Sequence, residues 1–173
     1  MITTFTLSIP RPTYPTGVWN WITTIDHKRI GILYGVTAFI MFITGGVEAA
    51  IMRWQLSRPE QDFVSPEVFN QLFTMHGTTM IFLAIMPMGA AFFNFLIPLQ
   101  IGARDVAFPR LNAFSYWMFL FGGLLMHVSF LTNSAPDVGW FAYAPLTNDV
   151  YSSNSGVDYW IISGARIRRV MKI

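Results

Sequence analysis

The chain has 173 residues, of which 53% are hydrophobic and only 12% charged, with a net charge of +2 and no cysteine. Soluble domains are about 25% charged, so this balance excludes an ordinary soluble domain and points to a membrane protein with a mean hydropathy of +0.46. The small charge and the lack of a basic stripe set nucleic acid aside as a partner, and zero cysteines exclude disulfides and thiolate metal sites.

Residues 1–15 read as a flexible tail without the apolar core of a cleaved signal. Trp19 and Trp21 then favour a headgroup boundary. Asp26, His27, Lys28 and Arg29 precede a helix expected over residues 30–52, and His27 reads as an interfacial or capping group satisfied by water and charged neighbours. Residues 1–29 are thus a cytoplasmic tail with an interfacial segment, and residues 30–162 a transmembrane region.

Three stretches lack Asp, Glu, Lys and Arg altogether: residues 30–47, 68–103 and 111–136. Each is long enough for the roughly 20 residues that cross a bilayer. Ser65 and Pro66 supply an N-cap and a first-turn proline for a second helix over residues 66–97, about 48 Å long at 1.5 Å per residue. The hydrocarbon needs less, so tilt, a kink at Pro87 or protrusion absorbs the excess. Gly89, Ala90 and Ala91 form a small-residue patch for close helix approach.

After a polar connection over residues 98–110, Asn112 is expected to start a third helix over residues 113–131. The loop over residues 132–156 offers Trp140, Phe141, Tyr143 and Tyr151 as interface anchors. Residues 158–162 look like the start of a fourth helix, but Arg166, Arg168, Arg169 and Lys172 follow at positions expensive in lipid, so residues 163–173 read as an anomalous basic tail. The fold expected is an all-α integral membrane protein with three transmembrane helices and the start of a fourth. Arg11, Lys28, Arg29, Arg104 and Arg110 outnumber Arg53 and Arg58 across the membrane, which favours a cytoplasmic N-terminus.

His76 lies two to three turns into the second helix, in a run without charge. It is either a metal ligand, since neutral imidazole suits haem iron, or a histidine hydrogen-bonded across helices. Gly77 beside it leaves space for a flat macrocycle near the backbone. Arg53 ends the first helix at the level where the second begins, and pairs with a cofactor or snorkels to the interface. Glu48 is a carboxyl in an apolar run, expected in a polar contact. Asp105, between Arg104 and Arg110, is either a salt-bridged turn residue or, with Asn94, Asn112 and a tyrosine nearby, the start of a water chain that carries protons. His127 reads as a polar group near an interface.

The segments TTIDHKRIGILY, GGVEAAIMRWQL, FNQLFTMHGTTMIFLAIMP, NFLIPLQIGARDVAFPRLNAFSYW and DVGWFAYAPLTN together resemble subunit I of the haem-copper terminal oxidases, closest to the bacterial cytochrome c oxidases. The resemblance covers residues 19–162 and about the first third of that subunit, whose multi-helix bundle reduces oxygen to water and pumps protons. It implies that His76 is one axial ligand of the low-spin haem, of the haem a type, and that Arg53 contacts the haem's formyl group. It implies that Asp105 is the mouth of a proton channel lined by Asn94, Asn112 and Tyr34, and that Trp140 and Tyr143 belong to an outer loop above the haems. The ligands of the high-spin haem and copper, implied for the full subunit, are not found in this sequence.

The implied partners are subunit II with its electron-accepting copper, subunit III, cytochrome c as donor, and membrane lipid, in a bacterial plasma membrane. The ending ISGARIRRVMKI departs from the family's fourth helix and looks like a frameshift, a truncated gene or a fragment. Two other readings stand beside this one. In a quinol oxidase subunit I, an arginine and a carboxylate pair near the position of Glu48, whereas Thr44 stands one turn before it here. The other is a truncated, non-catalytic membrane scaffold.

Overall fold

The computed structural model describes residues 17–148, 150–152 and 155–170, with side chains up to residue 164. The expected tail over residues 1–15 lies outside the described residues, together with Arg11, Lys172 and the side chains of Arg166, Arg168 and Arg169. Five helices are present: α1 (Val18–Ile22), α2 (His27–Gln55), α3 (Pro66–Gln100), α4 (Pro109–Leu131) and α5 (Gly156–Val170), with no strand among the described residues. The expected all-α class holds, and α2, α3 and α4 are each long and apolar enough to cross a membrane. A helix meets the bilayer's central demand by pairing its backbone polar groups within itself.

Helix α2 starts three residues before the expected position. The Asp26 carboxylate accepts from the Lys28 N–H at 2.9 Å and caps the first turn, which draws His27, Lys28 and Arg29 into the helix. The Arg29 guanidinium bonds Asn20 and lies over the Trp21 ring, tying the short α1 to this turn. Along α2 the buried side is His27, Ile30, Tyr34, Thr37, Met41, Gly45 and Glu48, at spacings of three and four. Phe39, Ile40, Phe42, Ile43 and Val47 are exposed.

Helix α3 starts as expected, with Ser65 Oγ accepting from the Val68 N–H and Pro66 in the first turn. Its 35 residues contain a π-helical stretch, Thr79–Ile85, ending just before Pro87. A proline cannot donate to the turn before it and its ring crowds that turn, so a widened turn just ahead relieves the conflict. Pro98 sits inside α3 and does not end it. Helix α4 begins at Pro109, three residues ahead of Asn112, because a proline's fixed φ suits the first helical turn. Asn112 therefore lies within that turn and does not start the helix.

The two longest helices run antiparallel, with α2 packed along all of α3. Their backbones come close at Gly31, where an added Cβ would stand 3.1 Å from the Ala91 carbonyl oxygen and 3.2 Å from the Phe95 nitrogen. The small-residue patch thus works at Ala91. Helix α4 closes the core, with the Phe119 ring 5.4 Å from Tyr34 and Gly123 against Leu83. Helix α5 packs on α4 and continues through the basic segment to Val170.

Since backbone atoms at Gly31 cannot give way, Gly31→Leu is expected to destabilise the folded chain by about 1–3 kcal/mol, as overpacking does elsewhere. At Gly46 a Cβ meets nothing within 4 Å, so Gly46→Leu leaves stability unchanged. Thermal unfolding of both variants in detergent checks this contrast.

Candidate functional site

Two histidines cross-tie α2 and α3 in opposite directions. His27 of α2 bonds the Asn94 carbonyl of α3 at 2.8 Å, and His76 of α3 bonds the Gly45 carbonyl of α2 at 2.8 Å. A carbonyl only accepts, so in both cases Nδ1 carries the proton and donates. The same interval, 18 residues, separates His27 from Gly45 and His76 from Asn94, about 27 Å along a helix.

The Asn94 tie has a cause in the sequence. Pro98 stands four residues on and has no N–H, so the Asn94 carbonyl loses its helical donor, and an unpaired buried carbonyl costs about 1–3 kcal/mol. His27 supplies the missing donor from another helix. The expectation that water and charged neighbours satisfy His27 is therefore corrected: its side chain is 2% exposed. Capping by Asp26 turns it inward, away from Lys28.

At this end of the bundle a cleft of about 730 Å³ opens between α2, α3 and α4. Tyr34, Asn94, Asn112 and Ser115 give it polar lining among apolar neighbours. Ser115 Oγ donates to the Asn112 carbonyl at 2.7 Å, so the Tyr34 hydroxyl, 3.0 Å away, donates to Ser115. The structure thus brings three of the sequence-named polar residues to one cleft and adds Ser115. Serine is common at helix surfaces, but its place three residues after Asn112, on the same face, was a usable signal.

Asp105 is half-buried in the turn between α3 and α4, with Oδ1 accepting from the Val106 N–H at 2.8 Å. It forms no ion pair among the described residues, so the salt-bridged alternative fails. It does not line the cleft itself, whereas Val106, Ala107 and Phe108 do, which puts the carboxylate at the cleft's edge.

At the other end, the His76 ring is half-buried, and no hydrogen bond reaches Nε2 among the described residues. Fixing Nδ1–H on a carbonyl is the arrangement that orients a metal-ligating imidazole and leaves the Nε2 lone pair for the metal. The residue therefore fits one axial position on a haem iron. No group of three or more His, Asp or Glu suited to a metal ion occurs among the described residues. Space at Gly77 is not open for a macrocycle, because an added Cβ would stand 2.9 Å from Trp140 Cβ. Trp140, expected as an interface anchor, is half-buried against α3 instead. Phe141, Tyr143 and Tyr151 are exposed.

Arg53 is exposed on the last turn of α2 and has no partner among the described residues. Glu48 is buried, yet neither carboxyl oxygen has a hydrogen-bond partner, which overturns the expected polar contact. Thr44 bonds the Ile40 carbonyl of its own helix. His127 donates Nδ1–H to the Gly123 carbonyl of α4, with Nε2 buried and unpartnered.

Residues 29–167 match the family Cytochrome C and Quinol oxidase polypeptide I. Curated relatives include cytochrome c oxidase subunit 1 of Alkalihalophilus pseudofirmus, 49% identical over 145 residues, covering 84% of this chain and 23% of that protein. The subunit of the same name from Bacillus subtilis is 48% identical over 145 residues, with the same coverage of 84% and 23%. The probable cytochrome c oxidase subunit 1-alpha of Streptomyces avermitilis is 54% identical over 146 residues, covering 84% of this chain and 25% of that protein. The chain spans about a quarter of the length of these curated relatives.

Proposed function

The chain belongs to the Cytochrome C and Quinol oxidase polypeptide I family, and from that premise we propose that it is part of the catalytic subunit of a respiratory cytochrome c oxidase. In this reading it carries one axial ligand of the low-spin haem and the mouth of a proton path, within a complex that couples reduction of oxygen to water with proton pumping. The observation that carries the proposal is the division of α3: an oriented imidazole at His76 near one end, and a polar cleft beside Asp105 at the other.

His76 would hold the haem through Nε2, with the Gly45 carbonyl keeping the ring from rotating. Arg53, at the same end of the bundle, would donate to an oxygen of the haem. When bound, the haem supplies a one-electron redox couple. The high-spin haem and copper have their ligands in the remainder of the subunit. Asp105 takes protons at the inner surface, and the cleft passes them over water held by Asn94, Asn112 and Tyr34, with Ser115 completing the relay.

Lys28 and Arg29 at the start of α2 share one end of the bundle with Arg104 and Arg110, which supports a cytoplasmic N-terminus in a bacterial plasma membrane. The partners are subunits II and III, with cytochrome c as electron donor. Thr44, bonded within its own helix, forms no pair with Glu48, and this favours cytochrome c over quinol.

His76→Ala is expected to abolish the low-spin haem absorption of the purified complex. A retained band would move the ligand elsewhere and favour a non-catalytic scaffold. Asp105→Asn keeps size and polarity but cannot ionise, so proton uptake from the inner side should slow about tenfold or more, with the haem spectrum unchanged. Uptake in reconstituted vesicles measures this directly, and an unaltered rate removes Asp105 from the path.

A further inference from the structure

We propose that His27 is a positioning residue for the cleft: by donating Nδ1–H to the carbonyl that Pro98 leaves without a helical donor, it sets the orientation of Asn94. The inference rests on the reading of the cleft as a proton path. Asn94 is held at two points. Its amide Nδ2 donates to the Ala90 carbonyl at 2.9 Å, and its backbone carbonyl receives His27 at 2.8 Å, which leaves Oδ1 as the group offered to the cleft.

Without the imidazole, the orphaned carbonyl sits beside a space that admits water. Cleft water would then bond the Asn94 backbone, and both the carboxamide and the water that it should order would shift. His27 does not line the cleft and meets the relay only at the Asn94 backbone carbonyl. Its other nitrogen, Nε2, is buried without a partner, so among the described residues the only polar contact of the ring is the one to Asn94. A buried imidazole with one nitrogen left unpaired is an expensive way to fill space, and an apolar side chain would pack there at less cost.

The test uses the assembled oxidase complex containing this chain, and it turns on Pro98. His27→Phe is expected to slow proton uptake about tenfold, a loss equivalent to one buried hydrogen bond. His27→Asn, whose Nδ2–H takes the place of Nδ1–H, restores uptake to within about twofold of the wild type. Pro98→Ala gives the Asn94 carbonyl a helical donor, so adding His27→Phe to it changes uptake by less than about twofold.

Should His27→Phe alone fail to assemble, the Pro98→Ala, His27→Phe pair is expected to assemble, as judged by its low-spin haem band. The inference is overturned if His27→Phe leaves uptake unchanged, if its effect is the same in both backgrounds, if the asparagine does not rescue, or if the pair also fails to assemble. Asn94→Leu separates the two levels of the argument. If it slows uptake while His27→Phe does not, positioning alone is wrong; if it has no effect, the proton-path reading fails with it.

Discussion

Two histidine-to-carbonyl hydrogen bonds, running in opposite directions between α2 and α3, are the constraint on which the rest of this structure depends. Inside a bilayer, apolar surface gives helices little reason to associate, because lipid is as apolar as a neighbouring side chain. Specific register must come from close packing and from polar groups that have no other outlet. Gly31 against Ala91 supplies the close packing, and His27 and His76 supply the polar ties. Spaced alike on both helices, the ties hold the pair against sliding, since a shift in register would break both together.

The same ties divide α3 into two regions of different chemistry. Beyond the π-helical stretch toward Gln100, the helix is shaped by Pro87 and Pro98, and the donor missing at Pro98 leaves the Asn94 carbonyl to His27. Tyr34, Asn94, Asn112 and Ser115 line a cleft at that end. On the other side of the π-helical stretch the helix is regular, and His76 is fixed by a carbonyl of α2 in the tautomer that a metal requires. One helix thereby carries an oriented imidazole toward one end and lines a polar cleft toward the other. In the proposed function, that division lets electrons and protons arrive from opposite sides.

How much of this was legible in the sequence depends on whether the cause was local. The three crossings could be read because a run without charge is a local property, and Ser65-Pro66 marked the start of α3 for the same reason. His76 stood out because an ionisable group inside such a run has few bland explanations. His27 was misread because its neighbours in sequence are charged, whereas the group that decides its surroundings lies 67 residues away. The spacing of His27, Ile30, Tyr34, Thr37 and Met41 did carry the signal, since it continues the buried stripe to the first turn of α2. Trp140 was misjudged in the same way, its place being set by the absent side chain of Gly77. The π-helical stretch has no signature of its own in TMIFLAI beyond the proline that follows it.

The central claim is that α3 joins a haem ligand to a proton path while tied at both ends to α2. A density map of the oxidase complex containing this chain, fine enough to show ordered water, tests it most directly. The account predicts haem iron on His76 Nε2 with Nδ1 still on the Gly45 carbonyl, and a file of water running from Asp105 past Asn94 and Asn112 to Tyr34. Iron ligated elsewhere with His76 turned to lipid, or a cleft filled by lipid or side chains with no water, would contradict it.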